Sequence, residues 1–244
     1  MRENLSVVLI AHNEEKNIGK MIDGLLRSYG REILEIIVVD DASTDKTSFI
    51  VESRMSKNHK VKLIKRNPPC GVGRALRTGF ANLDHKAEYV LTMDSDFIEN
   101  VGEAQRLIHA IERKYDGVIG SRFIKGSRLV LYPLGKRIFN RIFHFVAKMT
   151  LRIKQKDLTN NFKLYKADIF RNLPWESNGY SMNAETGILP IVSGYCIGEV
   201  PISWVGRGRQ MGKSKFRIFK EAWSYIRVIL YARRYSQIIN YDKK

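Results

Sequence analysis

A chain of 244 residues with 44% hydrophobic content is long enough to bury one sizeable core, which excludes a disordered polypeptide. Its net charge of +17 implies a polyanionic partner, whether a nucleic acid, an anionic membrane surface or a phosphorylated substrate. Only Cys70 and Cys196 are present, without C-x-x-C spacing, which argues against a disulfide framework or a cysteine zinc site and suits a reducing cytoplasm.

Leu5 to Ile10 reads as a buried strand, too short and too quickly followed by His12-Asn13-Glu14-Glu15 to be a signal peptide. Ile18, Met21, Ile22, Leu25 and Leu26 then recur at helical spacing. Ile33 to Val39 is a second strand, ending in Asp40-Asp41, and Ser43-Thr44-Asp45 offers cap residues for a helix reaching about Met55. Val61 to Ile64 is a third strand, Lys65 to Gly73 a loop, and the next helix runs to about Leu83. Tyr89 to Met93 forms the fourth strand, Val101 to Tyr115 a helix, and Gly117 to Gly120 a short fifth strand. This alternation predicts an α/β fold with a mostly parallel sheet flanked by helices over about residues 1–125.

From about Arg128 the pattern becomes basic and amphipathic. On a helix from Lys136 to Arg152, Ile138, Ile142, Phe145, Val146 and Met149 share one face, with Arg137, Arg141, His144, Lys148 and Arg152 opposite. Phe219, Ala222, Trp223, Ile226, Ile229 and Leu230 define a second amphipathic segment before Arg233-Arg234. Such helices either pack on the domain with a solvated basic face or lie on a membrane, and the total charge favours the membrane. No window approaches the roughly 20 apolar residues of a transmembrane span.

Ligands in parallel α/β sheets bind at the carboxyl ends of strands, and the polar clusters lie there. In Met93-Asp94-Ser95-Asp96 the two carboxylates, two residues apart at a strand end, can present hard oxygens to one divalent cation. Asp40-Asp41 is either a turn with a helix cap or a base-recognising carboxylate. Asn67-Pro68-Pro69-Cys70-Gly71-Val72-Gly73-Arg74 lacks the third glycine of a dinucleotide fingerprint, Leu76 standing there, and is either a surface loop or an anion site using Arg74.

Taken in order, these clusters resemble a family 2 glycosyltransferase of the GT-A fold, most like its dolichol-phosphate (polyprenyl-phosphate) mannosyl- and glucosyltransferase branch. The matching stretches are Ala11 to Ile18, Val38 to Thr47, Met93 to Asp96, Gly120-Ser121-Arg122-Phe123, Asp157 to Tyr165 and Arg209 to Lys215. The resemblance implies a catalytic domain over 1–215, with a nucleotide-binding half at 1–125 and an acceptor half at 126–215, followed by an amphipathic segment at 216–244. It implies nucleotide contacts from Ala11, His12, Glu14, Val39, Asp41, Arg74 and Asp94, and Mg²⁺ or Mn²⁺ on Asp94 and Asp96. It also implies phosphate or acceptor contacts from Arg122, Lys136, Arg137, Arg209, Ser214 and Lys215. The expected partners are a nucleotide-diphosphate sugar such as GDP-mannose or UDP-glucose, a polyprenyl or dolichyl phosphate and the cytoplasmic membrane face, with a separate membrane-anchoring subunit as an option and no nucleic acid.

Three departures bear on that reading. His12 stands where the family stacks a tyrosine on the base, Ile98 stands where a helper glutamine follows the D-x-D, and Asn160-Asn161 replaces the Ser-Gly typical of the lipid-phosphate branch. A sugar hydroxyl acceptor would need a general base, for which Asp157 or Glu185 are the candidates, whereas a lipid phosphate is already anionic and needs none. It needs cations instead, since unit charges ~5 Å apart at an effective dielectric of ~20 repel by about 3 kcal/mol. Lys125 and Arg128 join Arg122, Lys136, Arg137, Arg209 and Lys215 as that expected basic funnel.

Overall fold

A computed structural model describes residues 3–205 and 218–242. The expected alternation is present: β1 (Leu5–Ala11), α1 (Ile18–Tyr29), β2 (Ile33–Asp41), α2 (Thr47–Met55), β3 (Val61–Arg66), α3 (Val72–Ala81) and β4 (Tyr89–Asp94). A 3-10 turn at Ile98–Glu103 leads into α4 (Ala104–Lys114) and β5 (Gly117–Ser121). Burial of Ile18, Met21, Ile22 and Leu25 seats α1 on the sheet. Each such side chain stabilises the fold by about 1.5–3 kcal/mol relative to exposure.

The second half holds more strand than its basic composition suggests. It contributes β6 (Arg128–Val130), α5 (Leu134–Leu151), β7 (Lys163–Lys166), α6 (Ala167–Asn172), α7 (Met182–Val192), β8 (Ile197–Pro201), β9 (Ser203–Val205) and α8 (Ile218–Asp242). The main sheet has the order β3-β2-β1-β4-β7-β5-β8, so it draws strands from both sides of residue 125, and β6 and β9 form a separate pair. β7 runs antiparallel to β4 and β5, and the other pairings are parallel.

Register decides what meets at the sheet edge. Ala11 lies beside Asp40 and Ile10 beside Asp94, so the ends of β1, β2 and β4 are level. Because β7 is antiparallel and pairs Lys163 with Thr92, its entry residues Asn160 to Phe162 arrive at that same edge. Successive residues of β1 point to opposite faces, so Val7 and Leu9 join the core over α1, while Val8 joins the core formed with α5, α7 and α8.

Helix α5 occupies nearly its expected span, and its apolar stripe is not the face that packs on the domain. Asn140, Phe143, His144 and Ala147 are its buried residues. The large apolar stripe faces solvent: Leu134, Ile138, Ile142, Phe145 and Met149 are each 58–72% exposed. The face that packs inward carries Asn140 and His144, because the loop beneath α5 holds a buried carboxylate, Asp157, that requires polar partners. Helix α8 likewise buries Tyr225, Val228, Ile229 and Ala232 while Trp223, Ile226 and Leu230 are exposed. Phe139 and Phe143 of α5 pack edge-on against Tyr225 of α8. Among the described residues, no helix is long and apolar enough to cross a membrane.

Candidate active site

The carboxyl ends of β1, β2, β4 and β5 open into a cavity of about 740 Å³. His12, Glu14, Asp41, Asp94, Asp96, Arg122 and Lys136 line it, together with the side chains Asn160, Asn161, Asn183, Tyr132 and Tyr225. At its nucleotide end, the first two polar motifs are laced to each other. Asn13, in the left-handed region at φ 57°, accepts from Thr44 N–H through Oδ1, while its own N–H donates to Ser43 Oγ. Glu14 N–H donates to Thr47 Oγ1, and Glu15 exchanges backbone and carboxylate bonds with Asp45 and Lys46. An asparagine tolerates that backbone conformation better than most residues.

Asp40 and Asp41, adjacent in sequence, do different work. Asp40 accepts from Ser43 N–H and Ser48 Oγ, which makes it the structural member. Asp41 faces the cavity, held by Arg66 on one oxygen and by Gly71 N–H on the other at 2.6 Å. Each carboxylate oxygen can accept a second bond, so the group remains able to accept from a base. The Nδ1–H of His12 donates to the Asp41 carbonyl at 2.7 Å, which fixes the imidazole at the cavity wall.

The glycine loop resolves as packing rather than an anion site. Gly73 and Arg74 donate their N–H groups to Asn178 O, so the first amides of α3 serve a protein carbonyl. A Cβ on Gly73 would lie 2.1 Å from Ser177 O, hence glycine there. Arg74 is not among the cavity-lining side chains, and neither are Ala11 and Val39, which are core residues at 1% and 0% exposure. Those three expected nucleotide contacts are therefore absent from the wall: Ala11 and Val39 because strands bury every second side chain between the layers, and Arg74 because its place in α3 does not turn it to the cavity.

The D-x-D pair is presented by a turn rather than by one strand face. β4 ends at Asp94, and Phe97 N–H closes back on Asp94 O, which swings half-buried Asp96 to the cavity beside exposed Asp94. Among the described residues, no group of three or more His, Cys, Asp or Glu is placed to hold a metal. Two adjacent carboxylates still suit a hard divalent cation, which would take its remaining ligands from a diphosphate and water. Ile98 packs against the core, so its position in the turn supplies no ligand. Asn161, from the β7 entry, instead reaches Asp94, with Nδ2 donating to Oδ1 at 3.0 Å.

Beneath the cavity floor lies a buried network. Arg122 donates from its backbone N–H and Nε to Asp157 Oδ2 at 2.9 and 2.7 Å, from Nη2 to Asp157 Oδ1 and Thr159 Oγ1, and from Nη1 to the Tyr132 hydroxyl. Burial alone would raise the Asp157 carboxyl, but the Arg122 guanidinium outweighs it and holds it at about 2. His144 donates from Nδ1 to Asn140 O, so Nε2 accepts from Leu158 N–H, which defines the neutral tautomer; burial pushes its pKa down.

This geometry corrects the expected bases and much of the expected funnel. Asp157 is fully buried in the Arg122 pair and does not line the cavity. Glu185 is fully buried as well, its two oxygens accepting from the N–H groups of Glu176 and Ser177, and it too is off the wall. Of the expected cations, Arg122 and Lys136 reach the cavity, whereas Lys125, Arg128 and Arg137 are exposed elsewhere. Arg209, Ser214 and Lys215 lie outside the described residues. Tyr132, Asn140 and Asn183 are not legible from the sequence as site residues; they belong to no recognised motif, and only the fold brings them to the site.

A mixed sheet with paired carboxylates at the β4 end, a cavity-facing carboxylate at the β2 end and a register that brings these ends level has the architecture of a GT-A glycosyltransferase. The chain belongs to Glycosyl transferase family 2, whose sequence model matches residues 6–173, and it is a glycosyltransferase. It is 30% identical to the undecaprenyl-phosphate mannosyltransferase of Micrococcus luteus over 74% of this chain and 75% of that one. It is 24% identical to the polyprenol monophosphomannose synthase of Mycolicibacterium smegmatis over 86% of this chain and 79% of that one. In fold it is similar to the glucosyl-3-phosphoglycerate synthase of Mycobacterium tuberculosis solved with Mn²⁺, UDP-glucose and phosphoglyceric acid, with a TM-score of 0.71 at 18% identity, covering 95% of this chain and 80% of that one.

Proposed function

We propose that this glycosyltransferase moves a hexose, with inversion, from a nucleotide-diphosphate sugar of the GDP-mannose or UDP-glucose type to a polyprenyl or dolichyl phosphate at the cytoplasmic face of a membrane. The carrying observation is the cavity itself, where Asp41, Asp94 and Asp96 meet at one sheet edge. The names of the two curated relatives, which act on polyprenyl phosphates, support the acceptor class. So does the burial of Asp157 and Glu185, since an anionic phosphate oxygen attacks without a general base.

An oxygen of the acceptor phosphate forms a bond to the anomeric carbon as the bond from that carbon to the diphosphate oxygen breaks. The pair of electrons leaves on the nucleoside diphosphate. Asp94 and Asp96 would hold a divalent cation, Mg²⁺ or Mn²⁺, which when bound would neutralise charge developing on that leaving group. The wall needs it: Glu14, Asp41, Asp94, Asp96 and Glu99 stand against Arg122 and Lys136 among the charged lining residues described. Arg122, locked to Asp157 and Tyr132, offers its remaining N–H to the acceptor side with no reorganisation.

The exposed apolar stripe of α5 and the exposed Trp223, Ile226 and Leu230 of α8 support apposition to a bilayer, with Arg137, Arg141, Arg233 and Arg234 exposed for lipid headgroups. Single exposed apolar residues need no explanation, but a continuous row does. In this reading the catalytic unit occupies residues 1–215 and the helical segment 216–244 completes the membrane surface; a separate anchoring subunit remains compatible with it. The test is hexose transfer from each nucleotide sugar to polyprenyl phosphate in vesicles, with and without Mg²⁺ or Mn²⁺. Transfer to a saccharide hydroxyl but to no lipid phosphate overturns the acceptor assignment.

A further inference from the structure

Among the side chains at the cavity, Asn183 is set apart by what it lacks and by how it is held. Its Oδ1 is buried and has no hydrogen-bond partner among the described residues, although the residue lines the cavity. A buried carboxamide oxygen left without a partner is destabilising, so its retention on a ligand-facing wall points to a donor that arrives with the ligand. The oxygen is an acceptor only. It repels phosphate and accepts from a hydroxyl.

The backbone beneath it is fixed by an unusual staple. Lys163, fully buried, donates from Nζ to Asn160 O at 2.5 Å, Asn183 O at 2.8 Å and Thr186 Oγ1 at 3.0 Å. One ammonium thus ties the β7 entry to the start of α7, and Asn160 and Asn183 share the wall on that account. The amide of Asn160 donates to Gly120 O and that of Asn161 to Asp94 Oδ1, which ties this carboxamide floor to the D-x-D carboxylates.

We propose that Asn183 is a specificity-determining residue that accepts a hydrogen bond from a ring hydroxyl of the transferred hexose, with Lys163 as the positioning residue that holds it against the floor. This rests on the nucleotide-sugar reading above and deepens it. The floor adjoins the metal-binding carboxylates, where a sugar attached to the terminal phosphate must lie, and a cluster of neutral carboxamides suits a polyhydroxylated neutral ring better than a diphosphate.

The test compares the full chain with Asn183→Ala and with the isosteric Asn183→Leu, using calorimetry with Mn²⁺ and GDP or UDP alone, then with GDP-mannose or UDP-glucose, and steady-state kinetics. Loss of one such bond lowers donor affinity and kcat/KM by about 10- to 100-fold while affinity for the bare nucleoside diphosphate stays at the wild-type level. Donors lacking single ring hydroxyls identify the partner: for one of them, the wild type and Asn183→Leu become equal, the non-additivity that marks a shared bond. Unchanged donor affinity, or an equal loss for the bare diphosphate, overturns the role of Asn183 and leaves the glycosyltransferase reading standing. A wild-type chain that binds diphosphates and no nucleotide sugar overturns both. Melting temperatures identify a variant that fails to fold, and the other substitution then carries the comparison.

Discussion

Arg122 grips Asp157 through two parallel hydrogen bonds, Nε to Oδ2 at 2.7 Å and Nη2 to Oδ1 at 2.8 Å, with both residues buried. The pair is the floor on which Tyr132, Thr159 and Asn140 are arranged, through bonds of the Tyr132 hydroxyl to both Arg122 and Asn140. It makes the positive charge next to the cavity a fixed charge rather than a mobile one.

Removing one partner strands the other. Asp157→Asn leaves a buried guanidinium without its counterion and is expected to destabilise the fold by about 3–5 kcal/mol, seen as a lower denaturant midpoint. An unchanged midpoint would show that the pair contributes little.

Acid should act on the same pair. The Asp157 carboxyl sits at about 2 in the folded chain against an ordinary 3.8, so its contribution is complete above the ordinary value and is lost as pH falls from about 4 toward 2. The difference corresponds to roughly 2 kcal/mol. Stability curves of wild type and Asp157→Asn should converge across that window; parallel curves would contradict it.

Lys163 predicts a trend of opposite sense. Burial lowers its ammonium from 10.5 to about 7, so between those values the unfolded chain binds more protons than the folded one. Stability therefore rises with pH over that interval, as the cost of a buried charge is relieved. In Lys163→Met that contribution to the slope disappears; a variant with the wild-type slope would place the titration elsewhere.

Double replacement of Asp94 and Asp96 by Asn should abolish metal-dependent stabilisation by nucleotides. Ligand at 100 times its Kd raises stability by about 2.7 kcal/mol in the wild type, and melting with Mn²⁺ and a nucleotide panel reads the loss. Persistence of the metal-dependent shift would move the metal away from this pair.

On α5, Ile142→Glu with Phe145→Glu introduces charge at two positions that are 60% and 67% exposed, so folding should be undisturbed. Co-sedimentation with phosphatidylglycerol vesicles should fall at least tenfold while nucleotide affinity holds, because buried apolar area and headgroup attraction both diminish. Equal vesicle binding would assign the stripe to something other than a bilayer.

Sequence by itself determined the alternation from Leu5 to Ser121, since short runs such as Ile33 to Val39 and amphipathic helices such as α1 are local patterns with periods that read directly. It also determined the D-x-D pair and the Asp40-Asp41 cluster, because strand ends of parallel sheets are where ligand-binding side chains collect. Tertiary structure decided the rest. Which face of α5 is buried, and that Asp157 and Glu185 are engaged rather than poised as bases, depend on partners 8 to 35 residues away. Lys163-Leu164-Tyr165-Lys166 carries no local strand signal; it becomes the antiparallel strand β7 because β4 and β5 leave an edge between them, and that insertion carries Asn160 and Asn161 to the sheet edge where Asp94 and Asp96 stand. Local periodicity encodes which elements form, and only the closing of the sheet sets which polar groups are buried together.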